Sequence, residues 1–151
     1  MSEALNLFNF AADASAVAQS WLGTLKSERR LSAKTLEAYA RDLGQFGAFL
    51  KDYQGSAANK TDLSALTASD FRSFMAKRRN DGIESRSLAR QISAIRSFFR
   101  HAERSGEFKC AAITAVRAPK IAHSVPRPRT EELATRMVTE NVLQQAEAWI
   151  N

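Results

Sequence analysis

The stretch SRSLARQISAIRSFFRHAERSG, residues 85–106, decides how the chain is read. At about 100° per residue, Leu88, Ile92, Ile95, Phe99 and Ala102 fall within about 40° of one direction, so the stretch is a helix with an apolar face. Arg86, Arg90, Ser97 and Arg104 fall nearly opposite. Ser93 and Arg100 lie beside them, and Arg96 lies on the flank. Glu103 is the one acid among five arginines. A solvated helix face usually mixes signs and gains i,i+4 pairs. A row of arginines without acids repels itself, and it fits a polyanion better than water. Guanidinium groups and serine hydroxyls donate to phosphate oxygens, and a helix has the width of a DNA major groove.

The charge distribution agrees. The chain has 151 residues and a net charge of +6. From Phe71 to Arg104 there are nine Lys or Arg against Asp81, Glu84 and Glu103, so this window alone carries +6. A concentrated surplus of this kind is the electrostatic footprint of nucleic-acid binding.

Proline sets the boundaries. Pro119, Pro126 and Pro128 all fall in one short string, and the hundred or so residues before them contain none. Proline removes an amide donor and disfavours helix at the preceding residue, so 117–129 reads as an extended linker. The body before it reads as all-α, with 1–12 as an N-terminal extension and 13–116 as a helical domain. A first helix is expected over about 13–28, capped by Asp13 or Ser15, with Val17, Trp21 and Leu25 on one face. A second is expected over about 33–53, capped by Ser32, with Leu36, Ala40, Leu43, Gly47 and Leu50 inward, flanked by Tyr39, Phe46 and Phe49. QGSAANKTDLSAL reads as a polar loop. A third helix is expected over about 68–80, with Thr67 and Asp70 in a capping box and Phe71, Phe74 and Met75 inward. The fourth covers about 86–104 and ends at Gly106. A fifth is expected over about 131–150 after Thr130. Opposite Leu36 and Leu43 on the second helix stand Lys34, Arg41 and Gln45, a weaker basic face diluted by Glu37.

No catalytic constellation emerges. His101 and His123 have no Cys or carboxylate at ligand spacing, and the phosphate-cradling GxxxxGK string is absent. Tyr39 and Tyr53 read as structural. Cys110 reads as a small apolar residue. No cofactor and no metal are expected. No apolar run approaches the roughly 18 residues that cross a bilayer, and Glu3 stands where a secretion signal would be positive. The cytoplasm is the expected compartment.

At this point the residues resemble a family. ERRLSAKTLEAYARDLGQFGAFL, LTASDFRSFMAKRRNDGIESRSLARQISAIRSFFRHAERSG and RAPKIAHSVPRPRTEEL occur in the order and at the distances seen in Xer-type tyrosine recombinases of the phage-integrase family. The similarity is greater to the XerC branch than to the XerD branch. It departs at Cys110-Ala111, where Asn-Pro is frequent, and at Ser124-Val125 and Arg129 in the linker. The resemblance implies a compact four-helix SAM-like core-binding domain, followed by the extended linker and, from 130 to 151, the first helix of a catalytic domain. The family's catalytic arginines, lysine, histidines and nucleophilic tyrosine lie further C-terminal, so no residue of this chain inherits a catalytic role. The chain is then expected to be the DNA-binding part of a longer enzyme. That enzyme would act through a covalent 3'-phosphotyrosyl DNA intermediate and resolve chromosome dimers at a specific site. The partners implied are double-stranded DNA, a second Xer recombinase in a heterotetramer and a DNA translocase, with no membrane and no small-molecule substrate.

The expected DNA-binding residues are Lys34, Arg41, Gln45, Arg86, Arg90, Ser93, Ser97, Arg100 and Arg104. Arg90 and Ser93 are expected nearest the base edges, with Arg100, Arg104 and Lys34 on phosphates. Arg90→Ala is expected to leave stability unchanged. Three alternatives accompany this reading: a phage- or plasmid-type integrase arm of the same family, a non-catalytic helical protein-interaction module, and a stand-alone helix-turn-helix regulator.

Overall fold

The computed structural model describes residues 7–117. Within them the chain forms five α-helices and a closing 3-10 turn: α1 Ala12–Ser27, α2 Ala33–Gln54, α3 Lys60–Ser64, α4 Ala68–Asn80, α5 Ser85–Arg104 and the turn Ala111–Ala115. None of the described helices is long and apolar enough to cross a membrane. The expected linker beyond Arg117, the Thr130 cap and the helix over about 131–150 lie outside the described residues.

Local signals set most of these boundaries. Ser32 caps α2 by accepting from the Thr35 amide at 3.1 Å. Thr67 and Asp70 form the reciprocal capping box at the start of α4. Three helices end at a glycine of positive φ, Gly55 after α2, Gly82 after α4 and Gly106 after α5, while the chain leaving α1 turns at Arg30, a non-glycine residue of positive φ. The start of α1 differs from expectation. Neither Asp13 nor Ser15 caps it; the helix begins after Ala11 with no side-chain cap. Asp13 lies within the first turn, and buried Ser15 donates to the Phe10 carbonyl at 3.2 Å.

That bond belongs to a feature the sequence reading left outside the domain. Phe8 and Phe10 are fully buried, and the segment before α1 crosses α2 where that helix has Gly44 and Gly47. The Asn9 side chain donates to the Gly44 carbonyl at 3.0 Å, and the Ala11 amide donates to the Ala58 carbonyl at 2.8 Å. The second contact reaches into the stretch expected to be plain loop. There the five-residue α3 forms, started by an Asn59–Asp62 capping box and anchored by buried Leu63.

The helix α5 is the hub, and it is covered on two sides. Its expected apolar face holds: Leu88, Ile92, Ile95, Phe99 and Ala102 are all buried. In its C-terminal half the opposite side is covered too, because α1 lies against it. Trp21 stacks edge-on against Phe98 at 5.9 Å and donates its indole N–H to Ser97 Oγ at 2.9 Å. On the other side Phe46 of α2 meets Phe71 and Phe74 of α4 at 5.7 and 5.1 Å and Phe99 of α5 at 6.4 Å. Such aromatic contacts combine large buried area with fixed edge or stacked geometry, which holds helix crossings in place. Cys110 is buried with its thiol toward the Leu66 carbonyl, and burial pushes its pKa up, so it is an inert core thiol.

His101 also sits on the covered side, buried, with Nε2 3.2 Å from the Ser20 hydroxyl. Burial lowers its pKa below the ordinary 6.5, and nearby Arg104 adds to this, while Glu107 and Glu28 oppose it. The unfolded chain therefore takes up the proton more readily. Stability is complete above the ordinary value and falls as pH drops through and below it, by at most about 1.4 kcal/mol per pH unit for one group. Urea midpoints at pH 7.5 and 5.5 should differ, and His101→Gln should shrink that difference. An unchanged difference in the variant would assign the acid sensitivity elsewhere.

Candidate nucleic-acid interface

The contact between α2 and α5 builds the candidate surface. Asp42 of α2 is 1% exposed and accepts two bonds from Arg90 of α5, from Nε at 2.8 Å and from Nη2 at 2.9 Å. One turn further along, the Gln45 side-chain oxygen accepts from Gln91 Nε2 and from Arg78 Nη2 of α4, the latter at 3.0 Å. Arg78 also donates from Nε to Gln91 at 3.2 Å and from Nη1 to Asp81 at 3.3 Å. Arginine can only donate, so the Gln45 atom facing Arg78 must be its oxygen. No buried side-chain polar atom lacks a partner among the described residues, so the Gln45 amide nitrogen, which has none, touches solvent. Gln45 therefore presents donors outward and keeps its acceptor inside.

These contacts remove one expected site residue and correct the stability expected of another. Ser97 is 3% exposed and faces Trp21, so it is part of the core and cannot meet a phosphate. The helical wheel had placed it correctly opposite Leu88; α1 covers that side as well. Arg90 lies at the surface, with 43% of its side chain exposed, but it is the ion-pair partner of a buried carboxylate. The hydrogen bond to Asp42 raises the Arg90 pKa above its already high value, against partial desolvation. The expectation that Arg90→Ala leaves stability unchanged does not survive this pairing.

The remaining expected residues are accessible. Lys34, Arg41, Arg86 and Arg104 are exposed, and Ser93 and Arg100 are half-buried. Arg41 has only a loose exposed contact to Glu37 at 3.8 Å, which is worth little. Among the described residues no carboxylate pairs with Lys34, Arg86 or Arg100. Arg86, Ser93 and Arg100 recur every seven residues, two turns apart, and so follow one line along α5. At about 1.5 Å per residue that line is about 21 Å long, close to six base steps of duplex axis. The accessible ridge is thus rotated away from Ser97, toward Arg86, Ser93 and Arg100, with Arg90 at its edge beside α2.

Sequence reasoning missed Asp42, Arg78 and Gln91. A signal for Asp42 was present: it lies between Tyr39, Leu43 and Phe46 on the inward side of α2, where an unpaired acid would be costly. Its partner could not be named without knowing which helix packs there. Burial is the main cause that raises the Tyr39 pKa, with the Asp42 charge adding to it, so this phenol remains neutral and structural.

Comparison with known proteins agrees with the architecture. The family described as phage integrase, N-terminal SAM-like domain, matches residues 18–106. The chain is 46% identical over 132 residues to tyrosine recombinase XerC of Bradyrhizobium diazoefficiens, covering 86% of this chain and 41% of that protein. It is 42% identical over 132 residues to tyrosine recombinase XerC of Agrobacterium fabrum, covering 87% and 42%. With tyrosine recombinase XerC of Brucella suis it shares 41% identity over 139 residues, covering 92% and 44%. No solved structure gives a significant match. The chain spans about two fifths of the length of these curated relatives. All of them match over the helices that carry the Asp42–Arg90 contact and the arginine line, and the chain belongs to the phage-integrase N-terminal SAM-like family.

Proposed function

We propose that this domain is the duplex-DNA grip of a XerC-like site-specific tyrosine recombinase, with α2 and α5 against the DNA. The observation that carries the reading is the line Arg86–Ser93–Arg100 on α5, accessible and, among the described residues, without carboxylate partners, together with exposed Lys34 and Arg41 on α2. Residues 117–129 would link it to a catalytic domain whose first helix is 130–151. The longer enzyme would carry out strand exchange through a 3'-phosphotyrosyl intermediate, with a second Xer recombinase in a heterotetramer and a DNA translocase as partners in chromosome-dimer resolution. That work would place it in the cytoplasm. In this chain the task is binding and orientation alone: cations neutralise phosphates, and hydroxyl and amide donors fix the register.

Five cations, Lys34, Arg41, Arg86, Arg100 and Arg104, imply about five neutralised phosphates. Log K for a mixed-sequence duplex should then fall against log salt with a slope of about −4 to −5, with micromolar affinity typical of non-specific contact. Fluorescence anisotropy at several salt concentrations measures the slope. A flat dependence with binding intact, or no binding at low salt, sinks the proposal. The groove between residues 7–9, α1 and α2, about 740 Å³ and lined in part by Leu7, Leu22, Leu36 and Ala40, favours the protein-interaction alternative. Absence of DNA binding at low salt would shift the weight to it.

A further inference from the structure

We propose that Asp42 is a positioning residue for DNA recognition, holding the Arg90 guanidinium in one orientation so that its remaining donors meet a fixed acceptor on the duplex. The inference rests on the reading of α2 and α5 as the DNA-facing pair. Its physical content is that a buried negative charge beside the DNA strengthens binding.

The geometry supports orientation over plain neutralisation. Asp42 is fully buried and takes the Nε and Nη2 edge of Arg90 in a two-point fork at 2.8 and 2.9 Å. A two-point contact fixes the guanidinium plane as well as its place. Arginine has five N–H donors, so three remain, two of them on Nη1. With 43% of the side chain exposed, those donors have access to solvent at the edge of the arginine line. Gln45, one turn from Asp42 along α2, is fixed in the same sense: Arg78 and Gln91 hold its oxygen, and its amide nitrogen is left outward. Two neighbouring side chains on the α2–α5 seam thus offer donors only, each held by an interior partner. Such a pair suits an acceptor-rich edge, either phosphate oxygens or the O6 and N7 of guanine. It does not suit adenine, whose two-point contact requires an acceptor and a donor from one amide. An arginine free of Asp42 would have to surrender side-chain rotamers on binding, and the fork removes most of that cost.

Asp42→Asn tests the idea through the sign of its effect. The variant raises the net charge by one, so simple electrostatics makes it bind duplex more tightly, with a steeper salt slope. Positioning makes it bind more weakly, by about five- to tenfold at constant salt, with the slope shallower by about one if Arg90 meets a phosphate. Arg90→Lys keeps the charge and loses the fork, and should weaken binding similarly. Anisotropy titrations of the full chain use a mixed-sequence duplex and the same duplex with 7-deazaguanine in place of guanine. The active fraction is set by stoichiometric titration, and folding is checked by circular dichroism. If Arg90 meets guanine, wild type loses affinity on the deaza duplex and both variants lose that discrimination. If it meets phosphate, wild type binds the two duplexes alike and the variants lose equally on both.

Tighter or unchanged binding by Asp42→Asn overturns the inference while leaving the DNA-binding reading intact. Weaker binding that follows the active fraction alone, with an unaltered slope and no change in base discrimination, overturns it as well. Failure of wild type to bind removes the reading beneath it. Should Asp42→Asn fold poorly, Arg90→Lys decides: wild-type affinity and slope for that variant refute the positioning role.

Discussion

Replacing Gly47 with alanine is expected to cost this domain about 3–5 kcal/mol, the sum of overpacking and of apolar surface pulled out of the core. A β-carbon at Gly47 would overlap the Phe8 carbonyl oxygen and press on the Phe10 ring at 3.2 Å. A backbone carbonyl cannot rotate aside as a side chain can, so the segment carrying Phe8 and Phe10 must lift from α2. The other helical glycines grade the effect. At Gly44 the new carbon would lie 2.9 Å from the Leu7 carbonyl oxygen, a smaller conflict nearer the chain end, for about 1–2 kcal/mol. At Gly23 nothing lies within 4 Å, so alanine there should add about 0.5–1 kcal/mol of stability through helix propensity. Urea midpoints rank the three variants. The cause is checked by truncation: once residues 1–10 are removed, Gly47→Ala should lose its cost and, as at Gly23, add about 0.5–1 kcal/mol through helix propensity. A large cost that persists in the truncated chain would show that Gly47 matters for something other than the crossing.

That crossing explains where the sequence could not be read. The long helices were legible because each repeats its apolar residues over several turns, and all but α1 are bounded by Ser32, the Thr67–Asp70 box or a glycine. Phe8 and Phe10 form no period, and the α2 surface they cover lies more than thirty residues away, so nothing local announces their burial. The helix α3 is five residues long, too short for a periodic signal, and only the Asn59–Asp62 spacing hints at it.

The candidate site was legible in kind and mistaken in detail, for one geometric reason. A helical wheel finds opposite sides of a helix, and it assigns one to the core and one to water. The hub helix α5 has neighbours on both. Where α1 crosses it, Ser97, Phe98 and His101 turn inward, and the serine expected to approach phosphate holds the Trp21 indole instead. Toward its N-terminus α2 takes the place of α1, and Arg90 meets Asp42. The line Arg86, Ser93 and Arg100 is what both neighbours leave open.

Arg90→Ala should therefore destabilise the fold by about 2–3 kcal/mol, below the about 3–5 kcal/mol of a fully buried pair because the arginine end is partly hydrated. Its partner should be cheaper to remove. Asp42 is 1% exposed and, with Arg90 gone, would retain a buried charge with its two hydrogen bonds missing. Arg90, with 43% of its side chain exposed, can turn to water when Asp42 is removed. Asp42→Ala is accordingly expected to cost only about 1 kcal/mol. The double variant removes both ends and should lie near Asp42→Ala, recovering much of what Arg90→Ala alone loses, with a coupling of about 2–3 kcal/mol. Urea midpoints of the four proteins at pH 7 close the cycle. Equal costs for the two single variants would show that Asp42 finds another donor, and an Arg90→Ala protein as stable as wild type would return the arginine to an idle place on the surface. The predicted order follows from burial alone: the charge that cannot reach water determines what losing its partner costs.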